Sequence, residues 1–204
     1  MIATSLCAAN ISARRSMAER SATKLRPADL LTRLESDRVI LEPFVDRHVE
    51  ALRAACAVDR EVWDIYPMNF GGSGFDAALA IMRASPDFLM LAVIDASIGE
   101  CVGMTSYMRP TMFAVVEIGG TYIHPNMRGG MFNRAMKKLM IEHAFDCGFV
   151  KIEFCVDTRN ERSMAAVLKL GAKHEGVLRQ NMVTWTGFRR DTAAFGLMEY
   201  EWEG

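Results

Sequence analysis

Glu117-Ile118-Gly119-Gly120-Thr121-Tyr122-Ile123-His124-Pro125-Asn126-Met127-Arg128-Gly129-Gly130-Met131-Phe132-Asn133 is the stretch on which the reading of this chain turns. A strand runs into a glycine-containing turn, and the turn opens a long helix. The first turn of a helix carries unpaired N–H groups and a partial positive charge. Glycines let the backbone approach a ligand and curl its amides into an anion-binding nest. Arg128 adds a fixed charge beside it. Together these features suit a pyrophosphate. The same residues also serve an ordinary strand–turn–helix connection, because glycine pairs are common in turns. The stretch is neither a G-x-x-x-x-G-K-[ST] loop nor a G-x-G-x-x-G fingerprint.

On either side of it the patterning alternates between strand and helix periods. Val39–Phe44 reads as a strand ended by proline, and Asp46 as the N-cap of a helix carrying Val49, Leu52 and Cys56. Gly71–Gly74 marks a loop, and a short helix follows from Asp76 to Ala84. Three strands are predicted at Phe88–Ile94, Cys101–Arg109 and Ala114–Ile123. The long helix runs from Met131 to Cys147, with Phe132, Met136, Leu139, Met140 and Ala144 at helical spacing and Gly148 closing it. A strand at Val150–Asp157, a helix at Glu161–Leu170 and strands around Val177–Trp185 and Thr192–Trp202 complete a mixed α/β domain without internal repeats.

Composition narrows the function classes. With 24 Lys+Arg against 25 Asp+Glu, the chain lacks the basic excess of a nucleic-acid binder. The five cysteines form no C-x-x-C pair and the four histidines are scattered, so a reduced, cytoplasmic protein without a metal site is the simplest reading. No apolar run reaches the roughly 18 residues of a membrane span. Residues 1–33 differ from the rest: Arg- and Ser-rich with few acids, as at Arg14-Arg15-Ser16. They read as a flexible tail, a transit peptide or an upstream mis-start with Met17 as the first residue. Residues 34–204 then form one domain.

Taken together, four stretches resemble the RimJ/RimL-like branch of the GNAT N-acetyltransferase superfamily: Arg38–Pro43; Glu117–Asn133; Asp157–Ser163 leading to Lys169-Leu170-Gly171-Ala172; and Glu175–Arg179. Thr186-Gly187 and Arg190-Asp191-Thr192 continue the likeness toward Glu201-Trp202. The resemblance implies a mostly antiparallel central sheet with a splayed strand pair and flanking helices. It also implies acetyl-CoA as acetyl donor and a primary amine as acceptor, on a protein N-terminus or a small molecule. The family's phosphate loop, Q/R-x-x-G-x-G/A, is matched by Arg128 at its first position. It is departed from at Met131 and Asn133, its fourth and sixth, with glycine at Gly129 and Gly130 instead.

The resemblance further implies that Arg128, Gly129, Gly130, Met131, Phe132 and Asn133 hold the pyrophosphate. The backbone near Tyr122 and Ile123 meets the acetyl carbonyl, where an N–H stabilises the developing oxyanion. Gly119-Gly120 eases a bulge in that strand. Glu117 is the candidate base, acting through water, with a solvated or ion-paired glutamate as the alternative. The tyrosine that many relatives place four residues before the closing glycine is Val167 here, so Ser163 is the candidate donor to the leaving thiolate. Asn160 would bind the pantetheine arm, and as a helix N-cap it has a second use. The acceptor cleft is expected around Trp63, Asp64, Tyr66, Gly71–Gly74 and the last two strands, with Trp63 and Tyr66 also fitting the core. A non-catalytic acyl-CoA binding module and an antibiotic- or polyamine-modifying enzyme are the competing readings. A homodimer is compatible with each of them.

Overall fold

The computed structural model describes residues 24–204. The alternative start at Met17 and the Arg14-Arg15-Ser16 stretch lie outside the described residues. Eight strands form one sheet in the order β1-β2-β3-β4-β5-β6-β8-β7. They are β1 (Leu34–Glu35), β2 (Val39–Pro43), β3 (Phe88–Asp95), β4 (Cys101–Met108), β5 (Val115–Ile123), β6 (Lys151–Asp157), β7 (Lys173–Val183) and β8 (Arg189–Met198). Neighbours run antiparallel except β5 and β6. That one parallel pair needs a crossover, and the long helix supplies it. Four α-helices are present among the described residues: α1 (Val49–Ala57), α2 (Phe75–Ala84), α3 (Met131–Asp146) and α4 (Glu161–Leu168).

Two clusters divide the core between the faces of the sheet. Under α3 and α4 lie Val39, Leu41, Leu91, Val93, Val116, Ile118, Ile152, Phe154, Ala193, Phe195 and Leu197. Under α1 and α2 lie Trp63, Phe70, Met82, Met90, Met104 and Tyr122. Helix α3 meets its cluster with Phe132, Met136, Met140 and Ala144, a stripe of i, i+4 steps. Gly148, at φ +91°, ends it in the left-handed region that a helix C-cap favours.

Three expectations need correction. The packed domain begins before residue 34. Leu30 is fully buried in the α3 cluster, and Arg26 caps the end of α3 through its N–H to the Cys147 carbonyl (2.9 Å) and its guanidinium to the Asp146 carbonyl (2.7 Å). A cation there satisfies orphan carbonyls and complements the helix dipole. Asp46 does not cap α1: its carboxylate pairs with Arg83 at 2.9 Å, and a short 3-10 turn over Asp46–His48 leads into the helix. The strands of the last hairpin start earlier than the sequence reading has them, by four residues at Lys173 and by three at Arg189.

Candidate active site

The sheet opens between β5 and β6. They pair only at Val115–Glu117 with Lys151–Glu153; beyond that β5 stays with β4, while β6 follows β8 as far as Asp157 opposite Thr192. A bulge helps β5 leave. Ser106 lies opposite Gly119 and Met104 opposite Tyr122, so Gly120 and Thr121 together face the single residue Thr105. Gly120 holds φ +57°, which a side chain would strain. The bulge also reverses the alternation. Val116 and Ile118 face α3 before it, Ile123 does so after it, and Tyr122 turns to the α1–α2 side. Thr121 therefore leaves the face of Glu117.

The same register sorts the two backbone candidates for an oxyanion. The His124 N–H donates to the Val102 carbonyl (2.8 Å), so Tyr122, two residues back, directs its own amide at β4. Ile123 then directs its N–H into the gap, and its carbonyl accepts from Arg128 Nε at 2.8 Å. The Tyr122 side chain stacks on Trp63 with ring centroids 4.7 Å apart and donates its hydroxyl to the Ala55 carbonyl. Trp63 itself is buried, a core residue rather than a substrate platform.

The bulge is propped from both faces. Tyr66 donates its hydroxyl to the Thr121 carbonyl at 2.7 Å, and burial pushes the phenol up to about 12, so it stays protonated. From α3, Lys137 Nζ donates to Thr121 Oγ1 at 2.7 Å, and Thr105 Oγ1 joins the same hydroxyl at 2.8 Å. Lys137 is 7% exposed, and burial draws its ammonium down to about 7. Nothing in the sequence reading singled it out. Its signal was a lysine beside Met136 on the apolar stripe of α3.

Helix α3 begins at Met131, after Gly129 at φ +81° and the exposed N-cap Gly130. No side chain caps the first turn and no acid lies in it, so its amides are free for an anion. Met131 is 55% exposed, whereas the Phe132 side chain is core, leaving only its amide for a ligand. The Arg128 guanidinium is turned away from this nest. It forms an ion pair with Asp59 and lies over the Tyr122 ring, 5.2 Å from the centroid. The expected phosphate ligand is thus a clasp between the loop and the segment after α1.

On the α1–α2 side of β5, β6 and β8 the floor is charged. Glu117 is 5% exposed and accepts from Arg109. Burial raises its carboxyl above the ordinary carboxylate range, with Arg109 opposing. The Asp157 carboxylate takes Arg159 Nη2 at 2.7 Å and Nε at 3.0 Å; burial raises the acid, but these hydrogen bonds prevail and hold it below its ordinary value. Asn160 caps α4, its side chain accepting the Ser163 N–H at 3.1 Å. The Ser163 hydroxyl makes no hydrogen bond among the described residues. Because β5 and β6 are parallel, the loop after β5 and the Asn160–Ser163 turn after β6 lie at the same end of the sheet, flanking the gap.

Residues 38–173 match the family model described as an acetyltransferase (GNAT) domain. The chain belongs to the GNAT acetyltransferase family. Among curated proteins it is similar to the uncharacterized N-acetyltransferase YoaA of Bacillus subtilis (strain 168), 25% identical over 81% of this chain and 96% of that one. Among solved structures it is similar to a GCN5-related N-acetyltransferase from Brucella melitensis, 29% identical with a TM-score of 0.79, covering 84% of this chain and 80% of that one. It shares the fold of Mycobacterium smegmatis RimJ in complex with CoA-disulfide, 20% identical with a TM-score of 0.69 over 81% and 84% of the two chains. The GNAT membership expected from the sequence is borne out by the family model.

In this GNAT domain the tip of the β7–β8 hairpin closes over the Glu61–Ile65 turn. Trp185 Nε1 donates to the Trp63 carbonyl at 2.7 Å, Arg159 Nη2 to the Asp64 carbonyl at 3.3 Å, and the Arg159 guanidinium lies 4.0 Å over the Phe188 ring. The acceptor cleft expected between the early helices and the last two strands is thus bounded by Trp185 and Phe188, both half-exposed. Among the described residues no helix is long and apolar enough to cross a membrane.

Proposed function

We propose that this acetyltransferase moves the acetyl group of acetyl-CoA to a primary amine by direct attack within a ternary complex. The observation that carries this reading is the opening of the single parallel strand pair after Glu117 and Glu153. It leaves backbone groups of β5 beyond Glu117 without a β6 partner, the kind of groups a pantetheine arm bonds to. The free amides of Gly129 to Asn133 suit the pyrophosphate, and Asn160 lies where the arm would enter. The Ile123 N–H, on the side of β5 away from β4, is the donor to the thioester oxygen in this reading.

In the step itself the amine lone pair attacks the thioester carbon and the C–S bond breaks. Glu117 takes the proton of the amine through water. Burial raises its carboxyl, which makes it a stronger proton acceptor than an ordinary carboxylate. Ser163, whose hydroxyl is uncommitted, donates to the departing thiolate. Arg128 acts here indirectly, by fixing the loop to Asp59 and Ile123.

The test is acetyl-CoA consumption, read as free thiol, against a panel of N-terminal peptides, small amines and aminoglycosides. Turnover that needs both acetyl-CoA and an amine is the expected result. Saturable acetyl-CoA binding with no turnover on any amine would leave the non-catalytic module as the correct reading. Turnover confined to aminoglycosides or polyamines would place the chain with the drug- and polyamine-modifying enzymes.

A further inference from the structure

The charged floor carries a buried cation, Arg190, that has no carboxylate partner among the described residues. On β8, Ala193, Phe195 and Leu197 pack into the α3–α4 core, so Arg190 and Thr192 face the opposite side with Cys155, Asp157 and Glu117. Arg190 is 5% exposed. Its side chain runs back along the strand, donating Nε to Thr192 Oγ1 at 3.1 Å, which brings its head within electrostatic reach of Asp157, Cys155 and Glu117.

The acids on this floor are already committed. Glu117 is paired with Arg109, Asp157 with Arg159, and Glu153 with Lys151 at 3.0 Å. Arg190 has no carboxylate within ion-pair distance among the described residues, and its two terminal nitrogens make no hydrogen bond there. They are not sealed in: among the described residues the side-chain polar atoms shut from solvent without a hydrogen bond belong to Asp59, which keeps its ion pair with Arg128, and to Ser106 and Trp202. A buried lysine can relieve its charge by losing a proton, but a guanidinium cannot. A buried cation of this kind calls for a counter-ion.

We propose that Arg190 is the anion-binding group of the acceptor subsite, and that the acceptor is a primary amine carrying a carboxylate close to the amine, as in an amino acid. The planar fork of the guanidinium matches a carboxylate bidentately. With the carboxylate on Arg190, the amine is directed toward Glu117 and the Ile123 amide. This assignment rests on the acetyltransferase reading and deepens it.

The experiment compares acceptors in matched pairs on the full chain: α-amino acids against their α-amides, and ω-amino acids against alkylamines of equal length. The wild type should favour each α-amino acid over its amide by roughly 10- to 100-fold in kcat/KM, the scale of a hydrogen bond to a charged group. The preference should fade as the carboxylate moves away along the ω-series. Arg190→Gln should abolish the preference and Arg190→Lys should retain part of it, with the rise in melting temperature on adding acetyl-CoA confirming that each variant is folded. Should either variant fail to fold, the wild-type pairs decide alone. Equal turnover of acids and amides by the wild type, or a preference that survives in Arg190→Gln, overturns the inference and leaves the acetyltransferase reading intact. No turnover with any amine overturns both.

Discussion

The same three strands, β5, β6 and β8, present opposite chemistry on their two faces. Toward α3 and α4 they show Val116, Ile118, Ile152, Phe154, Val156, Ala193, Phe195 and Leu197, a sealed apolar layer. Toward the α1–α2 side they show Glu117, Glu153, Cys155, Asp157, Arg190 and Thr192. The two faces share one backbone and alternate along it, so the difference in chemistry goes with what covers each. Two helices exclude water from one face, while the other is roofed only by a hairpin tip and a 3-10 turn. Apolar burial holds the strands in place on one face, while on the other Glu117, Asp157, Arg190 and Thr192 are buried as polar groups. Stability and catalysis should therefore separate cleanly between neighbouring residues of one strand.

The largest effect should come from the sealed face. Phe154→Ala removes a side chain only 2% exposed and should cost ~3–5 kcal/mol of stability in urea or guanidinium titration. Acetyl transfer per folded molecule should change little. A loss of kcat larger than the loss of folded protein would break the separation. Next comes Glu117→Gln, one step from that face by alternation. It should lower kcat by about 10²-fold or more with the melting temperature held or raised, since it removes a buried charge. The acid limb of the wild-type pH profile should fall as pH drops through a carboxyl value above 4.5, because burial raises it, and the variant should lack that limb. The loss should shrink as pH approaches the amine's own range.

Lys137 sharpens the comparison because it is the exception on the sealed side. Its folded value is near 7 against an ordinary 10.5. Between those values the unfolded chain binds a proton that the folded one does not, so stability should rise with pH, by up to about 1.4 kcal/mol per unit. Below pH 7 both states are charged and this gain is absent. Lys137→Met should flatten the slope between pH 7 and 9, checked by urea midpoints of variant and wild type side by side. An unchanged slope would mean that the amine titrates normally. The smallest effect is expected for Ser163→Ala, a several-fold drop in kcat with acetyl-CoA affinity within a few-fold. Unchanged kcat would leave the thiolate to solvent.

What the sequence made legible follows the same division. The helix starting at Met131 and a bulge near Gly119-Gly120, which the register places at Gly120 and Thr121, were readable because glycine pairs and helical spacing are local signals. The role of Arg128 was not: a cation in a turn reads the same whether it faces a ligand or Asp59, and that partner is fixed only by the fold. Arg190 was legible only as part of the family likeness, because beside Arg189 and Asp191 three charged residues look like a solvated strand end. Burial comes from the crossing of β6 and the hairpin, which no local window contains. Leu25 and Leu30 lack periodicity, so their docking against the end of α3 left no local pattern either.

Whether acetyl transfer takes place in the gap between β5 and β6 is decided by a crystal structure with acetyl-CoA bound. The account predicts the pyrophosphate on the amides of Gly129 to Asn133, the pantetheine arm between the splayed strands, and the thioester oxygen within hydrogen-bonding distance of the Ile123 N–H. An acetyl group lying outside that gap, or a coenzyme bound with β5 and β6 closed upon each other, would contradict it.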